Sequence, residues 1–323
     1  MSISSSKPFE NQLSLNVAVY FSSEELGSYP FNVPGYRNSY IDFFNTARKV
    51  SPHVEFYIVR GQSYAGHSAF SYGQKFDFDS QKFVSIKAPF HADIIYNKGD
   101  FLVASDDEAN IVNHPKFDRL CKDKMRTALL FPEYSPASIE VENDEQLAQA
   151  AQRMPSSKII MKPLKGQEGK GIQIFESDEL DGIEVVEPSI VQEFLDTSEG
   201  IEGVVDSLHD LRILLMNGEI VQIYVREPSE GKEISNVSKG GSLKEIDKKE
   251  LPEDILDICS QVDQKLNRYF PRIYSIDFGY TEEGPKIFEL NSQPGLPYPQ
   301  WKKYYHFWHQ KLWETLLLSL KKK

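Results

Sequence analysis

The stretch Tyr274–Leu296 reads YSIDFGYTEEGPKIFELNSQPGL, and the predicted roles of the other segments depend on it. Two runs of β-type residues flank a turn-rich segment at 281–285. Side chains alternate between the two faces of a strand, so a hairpin of these runs places Asp277 opposite Glu289, with Asn291 just beyond. Two carboxylates and an amide oxygen are hard ligands that suit Mg²⁺. The alternative is an ordinary acidic hairpin on a solvated sheet face.

The composition narrows the class of protein before any further motif is considered. The chain has 323 residues and a formal net charge of -12 at pH 7. Nonspecific nucleic-acid binding needs a basic face, so this charge argues against a nucleic-acid partner. The two cysteines, Cys121 and Cys259, lack metal-site spacing and fit a reducing compartment. The polar N-terminus and the lack of a run of about 20 apolar residues predict a cytoplasmic protein with no membrane partner.

The first third of the chain carries the pattern of an α/β unit. A helical spacing at 40–50 accompanies strand patterns at 15–21, 54–60 and 93–96. This alternation predicts parallel strands, and sheets of that kind bind ligands at the carboxyl ends of their strands. Three polar residues, Asn97, Lys98 and Asp100, follow the last of these strands. They are either substrate-side residues or an ordinary turn.

A second distinctive segment is the glycine-rich stretch Lys162–Ile172, KPLKGQEGKGI. Glycines let the backbone approach phosphates closely and turn its N–H groups toward them. The spacing GxxGxG, followed by a strand, is neither a Walker loop nor a dinucleotide fingerprint. It predicts either a flap over a nucleotide between two antiparallel strands, or a plain flexible hairpin. Lys162, on the strand before the loop, can reach a phosphate as a point charge.

The segment Asp210–Arg226 is the clearest hairpin, because Asn217-Gly218 is a strong turn signal. A three-residue loop, with Gly218 as its left-handed residue, would put six apolar side chains on one face: Leu211, Ile213, Leu215, Val221, Ile223 and Val225. Burial favours that register. The opposite face then carries Arg212, Gln222 and Arg226. Two arginines on one strand pair are either an anion site or solvated surface residues.

The order of these segments resembles the ATP-grasp superfamily, most of all its glutathione synthetase and glutamate-ligase-like branch. The resemblance covers roughly residues 115–300, and it rests on several weak motifs that occur in the expected order. These are Asp123-Lys124, Lys162 with its glycine loop, Gln192–Leu195, Asp210–Arg212 with Arg226, Asn236 with Gly240-Gly241, and Asp277, Glu289 and Asn291 with Pro294–Leu296.

The resemblance implies an α/β (α+β) chain with an ATP-grasp fold. An N-terminal Rossmann-like α/β domain is expected at 1–115. A small lid subdomain with the glycine loop is expected at 116–195, and a larger antiparallel-sheet subdomain with the catalytic and metal-binding residues at 196–323.

The resemblance also implies roles for individual residues. Those expected to hold ATP are Lys124, Lys162, Gly166, Gly169, Gly171, Gln192, Glu193, Phe194 and Leu195. The last four would form the hinge strand, whose backbone reads the adenine edge. The expected catalytic residues are Arg212 and Arg226, which would face the transferred phosphate, and Asn236, which would close near the substrate. Two Mg²⁺ ions, with Mn²⁺ as an alternative metal, would be held by Asp277, Glu289 and Asn291.

The implied activity is that of an ATP-dependent carboxylate–amine ligase. A carboxylate would attack the γ-phosphate of ATP, and an amine would capture the acyl phosphate, with release of ADP and phosphate. The expected partners are small-molecule carboxylates and amines, amino-acid or peptide-like, and the expected assembly is a homodimer or homotetramer. The alternatives are an ATP-binding scaffold without turnover, a ligase with a thiol or hydroxyl acceptor, and a small-molecule kinase.

Overall fold

The computed structural model describes residues 14–23, 25, 27–100, 109–164, 171–229 and 241–321. The chain divides into two compact units, one formed by 1–112 with 316–323 and the other by 113–315. None of the helices within the described ranges combines the length and the apolar character that a bilayer crossing requires. The domain boundaries predicted from the sequence, at residues 115 and 195, stay a prediction.

The first unit is built on a six-stranded sheet with the order β6-β5-β2-β1-β8-β9 and a three-stranded sheet with the order β3-β4-β7. The elements are β1 (Leu15–Phe21), α1 (Pro34–Val50), β2 (Val54–Arg60), β3 (Tyr64–Gly66), β4 (Ala69–Phe70), β5 (Gly73–Asp77), β6 (Lys82–Ile86), β7 (Phe90–His91), β8 (Ile94–Asn97) and β9 (Ile111–Val112). Strands β2, β8 and β9 run parallel to their neighbours on either side of β1, which confirms the predicted α/β unit. The antiparallel strands β5 and β6 were not predicted, because their sequences do not show a clear alternation of apolar and polar residues.

The second unit contains a four-stranded sheet, β10-β13-β11-β12, and a five-stranded sheet, β16-β15-β14-β17-β18. Its elements are α2 (Pro115–Lys122), α3 (Lys124–Leu130), β10 (Ser138–Val141), α4 (Asp144–Ala151), β11 (Lys158–Pro163), β12 (Gln173–Glu176), β13 (Ser189–Glu193), β14 (Asp210–Met216), β15 (Glu219–Glu227), β16 (Ser242–Glu245), α5 (Glu253–Lys265), β17 (Ile273–Thr281) and β18 (Gly284–Asn291). Helix α6 (Tyr305–Leu318) contains the boundary of the two units.

The five-stranded sheet is antiparallel throughout and has one apolar face. That face packs with helix α5 into a core that includes Leu211, Ile213, Ile223, Val225, Ile255, Ile258, Val262, Ile276 and Phe278. Burying one such side chain fully contributes about 1.5–3 kcal/mol. A slip of one residue in any strand would send its charged side chains into this core, so the register is firmly set. The opposite face of the sheet is polar.

The turn between β14 and β15 differs from the prediction. Asn217 and Gly218 have φ angles of 52° and 85°, and they form a two-residue turn, so the predicted three-residue loop is wrong. The register shifts instead between Leu214 and Leu215, where β15 accommodates an extra residue. This bulge restores the predicted faces, and the polar face carries Arg212, Gln222 and Arg226.

The sequence of residues 116–130 predicts a single helix, but the structure has two helices that meet at Asp123. The Asp123 carboxylate accepts a hydrogen bond from Arg126 N at 2.9 Å, which caps the start of α3. A residue that prefers the cap position therefore ends one helix and begins the next. Lys124 becomes the first residue of α3 as a result.

Candidate active site

The polar face of the five-stranded sheet brings the predicted charged residues together. Arg212 of β14 lies directly opposite Asp277 of β17, and Asp277 lies opposite Glu289 of β18. Asn291 follows on the same face, opposite Ser275. The hairpin geometry predicted for Tyr274–Leu296 is therefore confirmed.

The centre of this face is a buried ion network. Arg212 donates from Nε to Asp277 Oδ1 at 2.6 Å and also hydrogen bonds the second carboxylate oxygen through Nη2. Arg226 Nη2 donates to Asp277 Oδ2 at 2.7 Å and to Asp210 Oδ2. The Asp277 side chain is only 3% exposed, and Arg212 Nη2 lies 3.9 Å from Glu289 Oε1. The two-nitrogen, charge-assisted contact fixes the guanidinium group of Arg212, and the two bonds from Nη2 hold that of Arg226 between Asp277 and Asp210.

The pKa values of Asp277 and Asp210 are shifted in opposite directions. Burial acts to raise the pKa of Asp277, but Arg212 and Arg226 hold it below its usual value. Burial raises the pKa of Asp210 to about 7, against the opposing charge of Arg226. Asp210 Oδ1 is buried and has no hydrogen-bond partner among the described residues. Sequence reasoning placed Asp210 in a motif but not in the site, although its two-residue spacing from Arg212 puts both on one face.

The four-stranded sheet contributes Lys162 and Gln192. Lys162 Nζ donates to Gln192 Oε1 at 2.9 Å, and Gln192 Nε2 donates to Ser138 Oγ at 2.8 Å. Ser138 Oγ donates in turn to the Pro136 carbonyl oxygen at 2.8 Å. Since lysine only donates, this chain of bonds fixes which end of the Gln192 amide faces Lys162.

The environment of Lys162 links the two sheets. Burial lowers the pKa of Lys162 to about 8; the charge of Glu289 opposes this shift and that of Lys124 adds to it. Lys124, Gln192 and Glu289 also line one narrow cleft. Three predicted residues from separate parts of the sequence therefore meet at a single cavity.

The remaining hinge residues are Glu193, the last residue of β13, and the two residues after it. Glu193 is bound to Ala137 twice, through a backbone N–H that donates to Ala137 O at 3.2 Å and through Oε1, which accepts from Ala137 N at 2.9 Å. Phe194 N donates to Lys158 O at 3.0 Å, and the Lys158 ammonium lies 4.7 Å from the centre of the Phe194 ring. Leu195 comes next and is partly exposed. These bonds fix the segment at the end of β13, between β10 and β11.

Gly171 ends the glycine-rich stretch with a φ of +72°, and a Cβ there would lie 2.8 Å from Pro163 Cγ. Glycine is required at this position for both reasons. Gly166, Gly169 and Asn236 lie outside the described residues.

Asp118 of α2 anchors the segment after β18, and sequence reasoning missed it. Its Oδ1 accepts hydrogen bonds from Ser292 Oγ at 2.5 Å and from Gln293 Nε2 at 2.9 Å. Gln293 N donates to Asn291 Oδ1 at 2.8 Å, so the anchor also orients Asn291. The partners are 174 and 175 residues from Asp118, and no local pattern predicts such a contact.

The oxygen donors on β17 and β18 fit a hard divalent cation. No three side chains among His, Cys, Asp and Glu converge as ligands in the described part of the chain, so the available set is Asp277, Glu289 and the amide of Asn291. A carboxylate has about four acceptor positions, and Asp277 uses three of them for the arginines. Glu289 is 42% exposed on its side chain and has capacity left. An all-oxygen set of this kind suits Mg²⁺.

Comparisons with known proteins find one matching family model and several similar sequences. Residues 123–277 match the family model described as prokaryotic glutathione synthetase, ATP-grasp domain. The chain is 31% identical over 157 residues to a glutathione synthetase of Vibrio vulnificus, with 48% of each chain covered. It is 26% identical over 144 residues to a probable alpha-L-glutamate ligase of Psychromonas ingrahamii, with 43% of each covered. The match thus spans less than half the length of these relatives.

A solved structure extends the likeness over nearly the whole chain. The VanG D-Ala:D-Ser ligase from Enterococcus faecalis superposes with a TM-score of 0.65 and 14% identity, covering 95% of this chain and 100% of that one. At this identity the likeness concerns the fold alone.

Proposed function

We propose that this chain is an ATP-dependent carboxylate–amine ligase of the ATP-grasp superfamily, because residues 123–277 match a family model of that superfamily. The observation that carries the proposal is the placement of Asp277. Its carboxylate is shared by Arg212 and Arg226 and faces Glu289, which lines the same cleft as Lys124. Cations for a transferring phosphoryl group thus lie next to oxygen donors for a metal.

The ATP-binding part of the proposal concerns the cleft. Lys124 and Lys162 would neutralise phosphate oxygens, and Gln192 holds Lys162 in place through its amide oxygen. The backbone after β13 would receive the adenine edge. Asp277, Glu289 and Asn291 would hold two Mg²⁺ ions, whose chemistry when bound is to neutralise charge on the phosphate oxygens.

The first chemical step would form an acyl phosphate. An oxygen of the substrate carboxylate attacks the γ-phosphorus, and the bond to the β–γ bridging oxygen breaks, with ADP as the leaving group. Arg212 and Arg226 are already fixed by Asp277, so they offset the developing charge without reorganisation.

The second step would form the amide. The amine nitrogen attacks the acyl carbon, the carbon–oxygen bond to phosphate breaks, and the nitrogen loses a proton. Exclusion of water is needed here, because hydrolysis would destroy the intermediate. No nucleophilic serine or cysteine takes part, and burial raises the pKa of the Cys121 thiol well above its usual value.

The substrates in this proposal are small amino-acid or peptide-like molecules. The test is ADP release from ATP and Mg²⁺ with pooled amino acids, dipeptides and small carboxylates. We expect release that depends on both a carboxylate pool and an amine pool, and that Glu289→Gln abolishes. Wild-type release by that variant, with an unchanged fold, would contradict the metal assignment. Release without any amine, with a stable phosphorylated product, would contradict amide formation.

Three expectations stay predictions beside this proposal. They are the cytoplasmic setting, the absence of a nucleic-acid partner, and assembly into a homodimer or homotetramer.

A further inference from the structure

The polar face of the five-stranded sheet carries a tyrosine beside the two arginines. Tyr224 of β15 lies directly opposite Arg212 of β14, and Arg226 lies two residues further along β15. Residues that oppose each other in an antiparallel pair, and residues two apart on one strand, project to the same face. The three side chains therefore share the polar face, with β-carbons roughly 5 to 7 Å apart.

The tyrosine is close enough to influence the charge of both arginines. Burial acts to lower the pKa of Arg212, but Asp277 and then Tyr224 raise it. Burial also acts to lower the pKa of Arg226, and Tyr224 is again among the groups that raise it. The Tyr224 hydroxyl therefore lies beside both guanidinium groups.

This hydroxyl is available to a bound group. Within the described ranges it has no hydrogen-bond partner, and it differs from the unpaired Asp210 Oδ1 atom in not being shielded from solvent. Glu245, the acid opposite Tyr224 on β16, is engaged instead by the Gln222 amide and the Lys303 backbone. A hydroxyl that is accessible and unpaired can donate to a ligand.

Each arginine also keeps a nitrogen that its partners do not occupy. Arg212 uses Nε and Nη2 for Asp277, and Arg226 uses Nη2 for Asp277 and Asp210. In the part of the chain that the structure describes, neither Nη1 atom has a hydrogen-bond partner, and neither is shielded from solvent. The face therefore offers three donors from three side chains: two guanidinium nitrogens and one hydroxyl.

The ring of Tyr224 is held by an aromatic neighbour. Its centre lies 5.4 Å from that of Trp301, at an interplanar angle of 48°. Trp301 N donates to the Tyr298 carbonyl oxygen at 2.9 Å, and the Tyr298 ring meets Trp301 edge to face. This packing fixes the ring, and a donor that is fixed beforehand needs no reorganisation when negative charge develops.

We propose that Tyr224 is a further catalytic residue, whose hydroxyl donates a hydrogen bond to an oxygen of the transferring phosphoryl group. That group carries its charge on three equatorial oxygens, and the face supplies three separate donors. A carboxylate, by contrast, is bound by the fork of a single arginine. The inference rests on the proposed ligase function and adds a residue to its reaction centre.

The test compares the wild-type protein with Tyr224→Phe, which keeps the ring and removes only the hydroxyl. Vanadate, added with ADP and Mg²⁺, stands in for the transferring phosphoryl group, and equilibrium binding is measured because it needs no turnover. We expect vanadate to bind about tenfold more weakly to Tyr224→Phe, while the affinity for ADP alone stays within about twofold of wild type. Equal vanadate affinity of the two proteins would overturn the proposal.

Tyr280→Phe is the matched control. The Tyr280 hydroxyl donates to Asp254 Oδ2 at 3.0 Å, and its ring packs against the core on the opposite face of the same sheet. This variant should bind vanadate as the wild type does. An equal loss in both tyrosine variants would overturn the assignment to Tyr224.

The binding data also separate this inference from the proposed function. If the wild-type protein binds neither ADP nor vanadate, the ligase proposal fails and this inference fails with it. If the wild-type protein binds both, and Tyr224→Phe binds both equally well, only the role of Tyr224 is overturned.

A kinetic readout distinguishes a catalytic from a structural role. Once ADP release is established, Tyr224→Phe should lower kcat at least about tenfold with little change in KM for ATP. The melting temperature should not fall, because the hydroxyl has no hydrogen-bond partner among the described residues. A large fall in melting temperature with unchanged kcat would make Tyr224 a structural residue.

Discussion

Under the proposed function, the pKa of Lys162 predicts a pH dependence of nucleotide binding whose magnitude can be calculated. Burial lowers this pKa to about 8, whereas a bound polyphosphate would restore it to at least the usual value, about 10.4. Nucleotide binding is therefore coupled to proton uptake. The protonated fraction of Lys162 in the free protein falls from about three-quarters at pH 7.5 to about 3% at pH 9.5. ATP affinity should fall about twentyfold over this range.

The assay is calorimetric titration with ATP at several pH values, in buffers of different ionisation enthalpy. Phosphate groups with a pKa of about 6 are already ionised above pH 7.5, so the nucleotide itself adds little. We expect about 0.7 proton taken up per ATP near pH 8.5. Lys162→Met should bind more weakly and without a pH slope.

A matched control separates Lys162 from its neighbour. Lys124→Met should also weaken binding, yet keep the slope and move its midpoint to higher pH, because the charge of Lys124 helps to lower the pKa of Lys162. A flat wild-type profile between pH 7.5 and 9.5 would refute the reasoning. So would a slope that persists in Lys162→Met.

Three further predictions concern the network and the backbone. Arg226→Ala should suppress ADP release far more than ATP binding, as compared by kinetics and calorimetry; equal losses would make Arg226 a binding or structural residue only. Gln192→Leu should raise KM for ATP several-fold with little change in kcat, since it frees Lys162; an unchanged KM would show that the contact is dispensable. Gly200→Ala should lower the free energy of unfolding by about 3 kcal/mol or more, because its φ is +76° and the new Cβ would lie 2.0 Å from Val205 O. Gly182→Ala, with a φ of +81° and no atom within 4 Å, should cost only about 1–2 kcal/mol in urea titrations; equal losses would contradict the steric argument.

The parts of the fold that were predicted correctly follow from local periodicity. Asp277 and Glu289 could be placed opposite each other because a short turn joins their strands, although the observed pairing depends on a register shift between Asp277 and Phe278. Burial of the apolar side chains put Arg212 and Arg226 on one face, although the loop length assumed for the hairpin was wrong. Continuous apolar runs marked the parallel strands of the first unit.

The parts that were missed depend on contacts between distant segments. Gln192 and Lys162 are 30 residues apart, and nothing local shows that the glutamine side chain holds the lysine. Glu245 reaches Tyr224 only because β16 pairs with β15 after a long intervening segment. No local sequence pattern predicts the register shift at Leu214. It is determined by burial of the apolar side chains that precede and follow it on the two strands.

That bulge has a consequence for how the chain tolerates change. The register shift separates the tip of the β14–β15 hairpin from the part of the hairpin that carries the arginines. A residue gained at the tip can be compensated by losing the extra residue of the bulge, which leaves Arg212 and Arg226 in place. A residue inserted at the Asn217-Gly218 turn should therefore cost the two hydrogen bonds between Asn217 and Arg272 but leave the ion network intact. The same insertions between Arg212 and the bulge should abolish the ion network.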